Sequence, residues 1–377
     1  MAATSSNSTG RILRVGIIGC GEVSQVIHIP NLNNLSDWYQ TTYLCDVSQQ
    51  TLAYCATKVL KSTHPRTTTD AEELCASSEV DVVLIANADA YHVPHALLAL
   101  KHNKYCLLEK PAALCFRDID LLIAAEKESQ GKVLVGTMRR YASALEDAIK
   151  EIGGMAQIKY ARVRDIIGPN ALGVAQSGMF PRKFEDFSEQ DTQDRLTRDT
   201  DMHEQALREE FRVPVTEASR RMLRILGALG THDLSAMREL LGMPESVAGA
   251  VLTLPGIFSV LFKYNDFPVT YESGLINVPE FDAHIEVYSA EKVVRIQYDT
   301  PYVKGLPVTM MIRERVGDGF QVRNIRKTFE DPYTLELLAF HDCAVNKKVP
   351  KTSVEDARND IELFRMILQA GSSRYQS

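Results

Sequence analysis

Four short stretches combine residue types and spacings that can do chemistry. In RVGIIGCGEVSQVIHI, Gly19-Cys20-Gly21-Glu22-Val23-Ser24 has GxGxxG spacing with serine in the third place, directly after an apolar run and before a helical one. The first glycine permits a tight turn, the second lets a pyrophosphate approach the backbone, and a small third residue lets helix and strand pack closely. The helix headed by Glu22 and Val23 then offers free N–H groups and a favourable dipole to phosphate. The stretch TTYLCDVS ends a second apolar run at Asp46. A carboxylate there accepts both hydroxyls of an adenosine ribose and repels a 2′-phosphate, and Val47 and Ser48 follow it rather than an arginine, which favours NAD over NADP. The plainer alternative is that Asp46 caps the next helix. The third stretch, YCLLEKPAAL, sets Glu109-Lys110-Pro111 after an apolar strand. Strand ends of an open parallel sheet face its ligand crevice. A lysine beside a positively charged nicotinamide has its charged form disfavoured, so it can donate to a substrate oxygen and help move a proton. Pro111 fixes the local backbone, a cis bond being one way to do so. Taken alone, such a tripeptide also reads as an ordinary turn.

The fourth stretch is LRILGALGTHDLSAMRELLG, Leu223 to Gly242, with its one histidine, His232. Hydride transfer from an alcohol carbon needs an acceptor for the hydroxyl proton, and histidine suits this near neutral pH. Leu234, Met237, Leu240 and Leu241 give a helical apolar stripe with Thr231 at its N-cap. His232 then falls in the first turn, where the helix dipole favours the neutral ring. The competing reading is a surface or capping histidine.

The elements that must hold these residues fall into two parts. The chain has 377 residues, which predicts two domains. From Arg14 to about Gly136, apolar runs such as DVVLIAN and KVLVG alternate with helical stretches such as HVPHALLALKHN and DIDLLIAAEKES. This pattern predicts βαβ units around a parallel sheet buried on both faces. After the helix SALEDAIKEIGG comes the strand IKYARVRDIIG, then a polar excursion from about 170 to 221, read as an inserted loop and helix that forms a lid or a solvated surface feature. Strand-like runs from SVAGAVLTL to KVVRIQYD and two closing helices then predict an α+β domain with an antiparallel sheet. The fold class is therefore α/β: a tail over 1–12, a dinucleotide-binding domain over 13–137, and a second domain over 138–377.

Bulk properties exclude several classes. The composition, 45% hydrophobic and 24% charged, is that of a soluble globular protein. The formal net charge of −7 argues against a nucleic-acid binder. The seven cysteines include no CxxC pair, which predicts reduced thiols in the cytoplasm and neither disulfides nor a metal site. MAATSSNSTG has no apolar core of a signal peptide, and no apolar run reaches membrane-spanning length.

The order of GIIGCGEVS, DVVLIANADAYHVPHALLALKHNKYCLLEKP, VGTMRRYASALEDA, GTHDLSAMRELLG and TSVEDARNDIEL resembles the glucose–fructose oxidoreductase / inositol dehydrogenase / MocA family along nearly the whole chain. GTMRRYASA is similar to the corresponding stretch of myo-inositol 2-dehydrogenases. The resemblance implies a Rossmann domain followed by a large open antiparallel sheet that commonly forms a subunit interface, hence a homodimer or homotetramer. It makes Lys110 a catalytic lysine and His232 a proton acceptor, and puts Glu109 near the nicotinamide ribose and Asn87 and His92 beside the cofactor. Arg140 and Tyr141 lead into the substrate domain. Many relatives carry an aspartate four residues before the histidine; this chain has Ala228. Asp165, at the end of IKYARVRD, is the first candidate to replace it and Asp233 the second; Lys110 acting without such an acid, a residue from the insertion, and loss of catalysis are the other possibilities. Asp165 and Asn170 are also the expected substrate contacts. The arginines Arg139, Arg140 and Arg164 suit a polyol or an acidic substrate. The expected activity is NAD(P)-dependent hydride transfer to or from a hydroxyl-bearing carbon of a sugar, cyclitol or related polyol. The alternatives are a reductase of a non-sugar carbonyl compound and a catalytically silent dinucleotide-binding regulator.

Overall fold

The computed structural model describes residues 10–60 and 64–371. Most of the tail predicted over 1–12 lies outside the described residues.

The first sheet is built from β1 (Leu13–Ile18), β2 (Tyr39–Cys45), β3 (Arg66–Thr68), β4 (Val82–Ile85), β5 (Tyr105–Glu109) and β6 (Val133–Gly136). Between them lie α1 (Ile29–Asn34), α2 (Gln49–Ala56), α3 (Ala71–Ala76), α4 (His92–Lys101) and α5 (Phe116–Glu128). The strand order is β3-β2-β1-β4-β5-β6 and every pair is parallel. β4, β5 and β6 are buried at every residue, as apolar strands covered by helices on both faces must be. The chain winds outward from β1 in both directions. The order therefore reverses between β1 and β4, and the turns after β1, β4 and β5 open on one crevice.

The second part comprises α6 (Ser143–Ile152), β7 (Ile158–Ile167), α7 (Asn170–Ala175), α8 (Glu189–Glu204), α9 (Glu217–Ile225), α10 (Thr231–Leu241), and seven further strands. These are β8 (Ser246–Thr253), β9 (Ile257–Lys263), β10 (Pro268–Leu275), β11 (Phe281–Ser289), β12 (Lys292–Tyr298), β13 (Thr309–Val316) and β14 (Gly319–Ile325), followed by α11 (Pro332–Asn346) and α12 (Val354–Gly371). The eight strands run in the order β14-β13-β12-β11-β7-β10-β9-β8. The predicted antiparallel sheet needs one correction, because β7 and β10 pair in parallel. A parallel pair needs a long crossover, and the chain between them supplies it through α7–α10 and the hairpin of β8 and β9. Alternation along β7 puts Ala161, Val163, Asp165 and Ile167 on the covered face. Arg164 lies on the open face, paired with Glu272 at 2.6 Å and Asp282 at 2.5 Å.

Two further differences bear on the site. α9 and α10 are one helix, joined through a π-helical widening over Leu226–Gly230. Thr231 is therefore no N-cap; its hydroxyl donates back to Gly227 O at 2.9 Å. The closing helices also return to the first sheet. Leu337 and Phe340 of α11 pack in the core beneath β1 and β2, and Tyr39 OH donates to Leu337 O at 2.6 Å. Among the described residues no helix is long and apolar enough to cross a membrane.

Phe364 of α12 is fully buried in the core that joins the helices of the first part to the second sheet. Phe364→Ala removes that ring and leaves a cavity, so it should lower stability by about 3–5 kcal/mol, read as a fall in the denaturant midpoint.

Candidate active site

The glycine turn is shaped as its sequence predicts. Gly19 has φ of +90°, and a Cβ there would sit 2.5 Å from Asn87 N. A Cβ on Gly21 would meet nothing within 4 Å, which leaves the approach to the backbone open. Ser24 does more than stay small: its hydroxyl donates to Gly19 O at 2.6 Å and closes the turn. Asp46 follows β2 and accepts from Cys20 N at 2.8 Å and Ser48 N at 2.9 Å. Burial pushes its carboxyl up, and the two N–H donors oppose that shift. Ser48, not Asp46, caps α2 by accepting from Thr51 N.

Asn87, in the turn after β4, lines a cavity of about 570 Å³ together with Gly19, Gly21 and Asp46. Its amide nitrogen meets His95 Nδ1 at 2.7 Å, and its buried Oδ1 has no protein partner. An open glycine cradle and an orphaned amide oxygen on one cavity fit a dinucleotide. Glu22 lines the adjoining cavity and Val23 packs inward. His92 is buried, with Nδ1 2.7 Å from Pro111 O and Nε2 3.1 Å from Asn87 O. It braces the turns after β4 and β5 against each other.

Glu109 and Lys110 end β5, and the Lys110–Pro111 bond is cis. Glu109 is buried 2.8 Å from His28 Nε2. Burial works to raise its carboxyl, but the His28 hydrogen bond and the charges of His28 and Lys110 hold it below the usual range. Lys110 Nζ reaches across to the second part and donates to Ala228 O at 2.5 Å. Burial lowers its affinity for a proton, opposed in part by Glu109 and Asp89.

His232 lies one turn beyond Ala228. Its proton affinity is pushed well below that of an ordinary histidine, by burial first and then by the charges of Lys110 and Arg139. The predicted dipole of a helix N-terminus is absent, because the helix runs on through residue 230. His232 Nδ1 is buried without a hydrogen-bond partner, so neither Asp165 nor Asp233 orients the ring. Both acids turn instead to Arg139, which ion-pairs with Asp165 at 3.0 Å and hydrogen-bonds Asp233. The guanidinium also lies over the Tyr298 ring at 4.9 Å. Burial and the neighbouring Asp165 charge push the Asp233 carboxyl well up. The hydroxyls of Tyr271, Ser273 and Tyr298 are buried in the same floor, with Ser273 beside Tyr271.

The other predicted contacts lie elsewhere. Arg140 is buried in ion pairs with Glu239, at 2.5 Å, and Asp356. Tyr141 OH is 2.8 Å from Thr352 Oγ1. Asn170 lines a separate cavity of about 330 Å³ with Phe281 and Asp299. All seven cysteines are buried and free.

A six-stranded parallel sheet with this glycine turn at its switch point has the architecture of a Rossmann domain. Residues 13–137 match the family model GFO_IDH_MocA, described as an oxidoreductase family with an NAD-binding Rossmann fold. It is 32% identical over 162 residues to an inositol 2-dehydrogenase/D-chiro-inositol 3-dehydrogenase of Shouchella clausii, covering 41% of this chain and 42% of that protein. It is 31% identical over 141 residues to a putative oxidoreductase, YteT, of Bacillus subtilis, covering 36% of this chain and 33% of that protein. The match thus spans only about a third to two-fifths of these relatives. The fold extends further: UDP-N-acetylglucosamine 3-dehydrogenase GnnA of Acidithiobacillus ferrooxidans superposes with a TM-score of 0.72 at 16% identity, covering 98% of this chain and 100% of that one.

The two glycines should separate binding from folding. Gly21→Ala should keep its melting temperature and lose about tenfold or more in NADH affinity by fluorescence titration. Gly19→Ala forces a side chain into left-handed backbone against Asn87, so it should lose about 1–3 kcal/mol of stability.

Proposed function

We propose that the chain is an NAD(H)-dependent dehydrogenase acting on a hydroxyl-bearing carbon of a sugar, cyclitol or related polyol. The observation that carries this reading is the pairing of Lys110 and His232 at the seam between the two sheets, one at the end of β5 and the other in α10. Each is shifted toward its neutral form, and the charge of Lys110 contributes to the shift of His232.

When bound, NAD⁺ supplies the hydride acceptor at its nicotinamide. Gly19 and Gly21 give the pyrophosphate access to the turn, Asp46 stands at the adenosine ribose, and Asn87 offers its free amide oxygen. Lys110 Nζ, aimed by the Ala228 carbonyl, donates to the substrate oxygen. His232 Nδ1 is enclosed in protein, so Nε2 is the atom left to take the hydroxyl proton, and a neutral ring is ready to take it. Asp46 without a following arginine supports NAD over NADP. A silent regulator of the same fold has no chemical use for a desolvated lysine and histidine at one seam, and burial of both works against stability.

Purified protein incubated with NAD⁺ and a panel of polyols should generate NADH absorbance. Binding without turnover across a broad panel would favour the regulator. Lys110→Ala should lower turnover by about 10²-fold or more. The pH profile has a defined sign. Activity falls on the acid side as His232 protonates, below the ordinary histidine value of 6.5. It falls on the alkaline side as Lys110 loses its proton, below the ordinary lysine value of 10.5. Ala228→Asp puts a carboxylate near Nζ, favours the ammonium, and should move the alkaline limb upward.

A further inference from the structure

The segment between α7 and α9 belongs in sequence to the second part, yet it lies on the first. After α7 the chain runs through residues 176–188 without regular structure and enters α8. Gln25, in the first helical turn after the glycines, grips this run by its backbone: Nε2 donates to Arg182 O at 3.0 Å and Oε1 accepts from Arg182 N at 2.8 Å. The same Nε2 donates to Cys20 O at 2.9 Å, so one side chain touches both the glycine turn and the segment above it. Tyr54 OH of α2 donates to Phe180 O at 2.8 Å. Asp186 accepts from Ser48 Oγ and, at 3.0 Å, from Gln50 N. Farther along, Tyr91 OH donates to Asp194 of α8 at 2.6 Å.

Two cavities open beneath this segment, and both are bounded by Gly21, Asp46 and Val47. One, of about 380 Å³, is closed from above by Arg182, Phe184 and Phe187. The other, of about 570 Å³, passes the ends of β1, β2 and β4 and is closed by Asp191, Asp194 and Arg195 of α8. The carboxyl ends of these strands are where the adenosine half of a dinucleotide lies.

We propose that residues 178–195 form a clasp over the adenosine half of the dinucleotide, with Asp186 and Asp194 as its two catches and the exposed Arg195 guanidinium as its contact to the nucleotide. This rests on the dinucleotide-binding reading above. The clasp crosses the mouth of the crevice, so the nucleotide leaves only when the catches part. Each catch is a hydroxyl donating to a carboxylate, stronger than a neutral pair. The catches sit on exposed chain, so they can open locally without unfolding either sheet.

The test pairs release kinetics with hydrogen exchange. Wild-type protein loaded with NADH and the double variant Asp186→Ala/Asp194→Ala are compared by stopped-flow displacement, which should show release about tenfold faster or more in the variant. In wild-type protein, ADP-ribose should slow amide exchange across 178–195 and nicotinamide mononucleotide should not. The exchange measurement needs no variant, so it decides the matter even if the double variant folds poorly. Unchanged release in a folded variant, or no protection by ADP-ribose in a protein that binds NADH, overturns the clasp and leaves dinucleotide binding standing. Failure of wild-type protein to bind either NADH or ADP-ribose overturns the dinucleotide reading itself, and the clasp with it.

Discussion

The account rests on one contact across the seam: Lys110 Nζ, at the end of a parallel strand, donating to the carbonyl of Ala228 at 2.5 Å. It ties the catalytic candidate of the first sheet to the helix that carries the other. The helix reaches this position through a π-helical widening over Leu226–Gly230, a feature often found at functional sites. A carbonyl can aim an amine as a carboxylate does, but it has no net charge and stabilises the ammonium less. Ala228 therefore leaves geometry to the backbone and leaves the lysine nearer its neutral form.

The floor beneath His232 obeys a different constraint. Buried charges must be paired, and one guanidinium, Arg139, faces the two carboxylates of Asp165 and Asp233. It cannot neutralise both, so burial and mutual repulsion raise the Asp233 carboxyl toward its protonated form. Stacking over Tyr298 and Phe281 holds the guanidinium in place. This cluster uses both acids that the sequence offers as partners for His232, which explains why the ring is held by burial and nearby positive charge instead.

Much of this was legible in the residues. Continuous apolar runs such as VVLI identified the buried parallel strands, and the glycine spacing located the tight turn after β1. The strand that carries Asp165 was legible, but its partner was not, because Arg139 lies far away in sequence on a short turn. Strands β3, β13 and β14 escaped notice; β3 has only three residues, and β14 is largely exposed and buries no apolar face. Thr231 mimicked an N-cap because threonine also bonds back within a helix, and no local signal marks a helix that widens rather than ends. The polar insertion read equally as a lid or as solvated chain. Its docking depends on Gln25, Tyr54 and Tyr91, which have no spacing relation to it.

The most direct measurement is the titration of Lys110 itself, followed by competitive labelling of lysine amines across pH with mass spectrometric readout, which needs no substrate. The account predicts that Lys110 reacts as an amine of lowered proton affinity, with its midpoint below the ordinary lysine value of 10.5, and that Ala228→Asp moves the midpoint up. A Lys110 midpoint at or above 10.5 in wild-type protein, unmoved by Ala228→Asp, would contradict it.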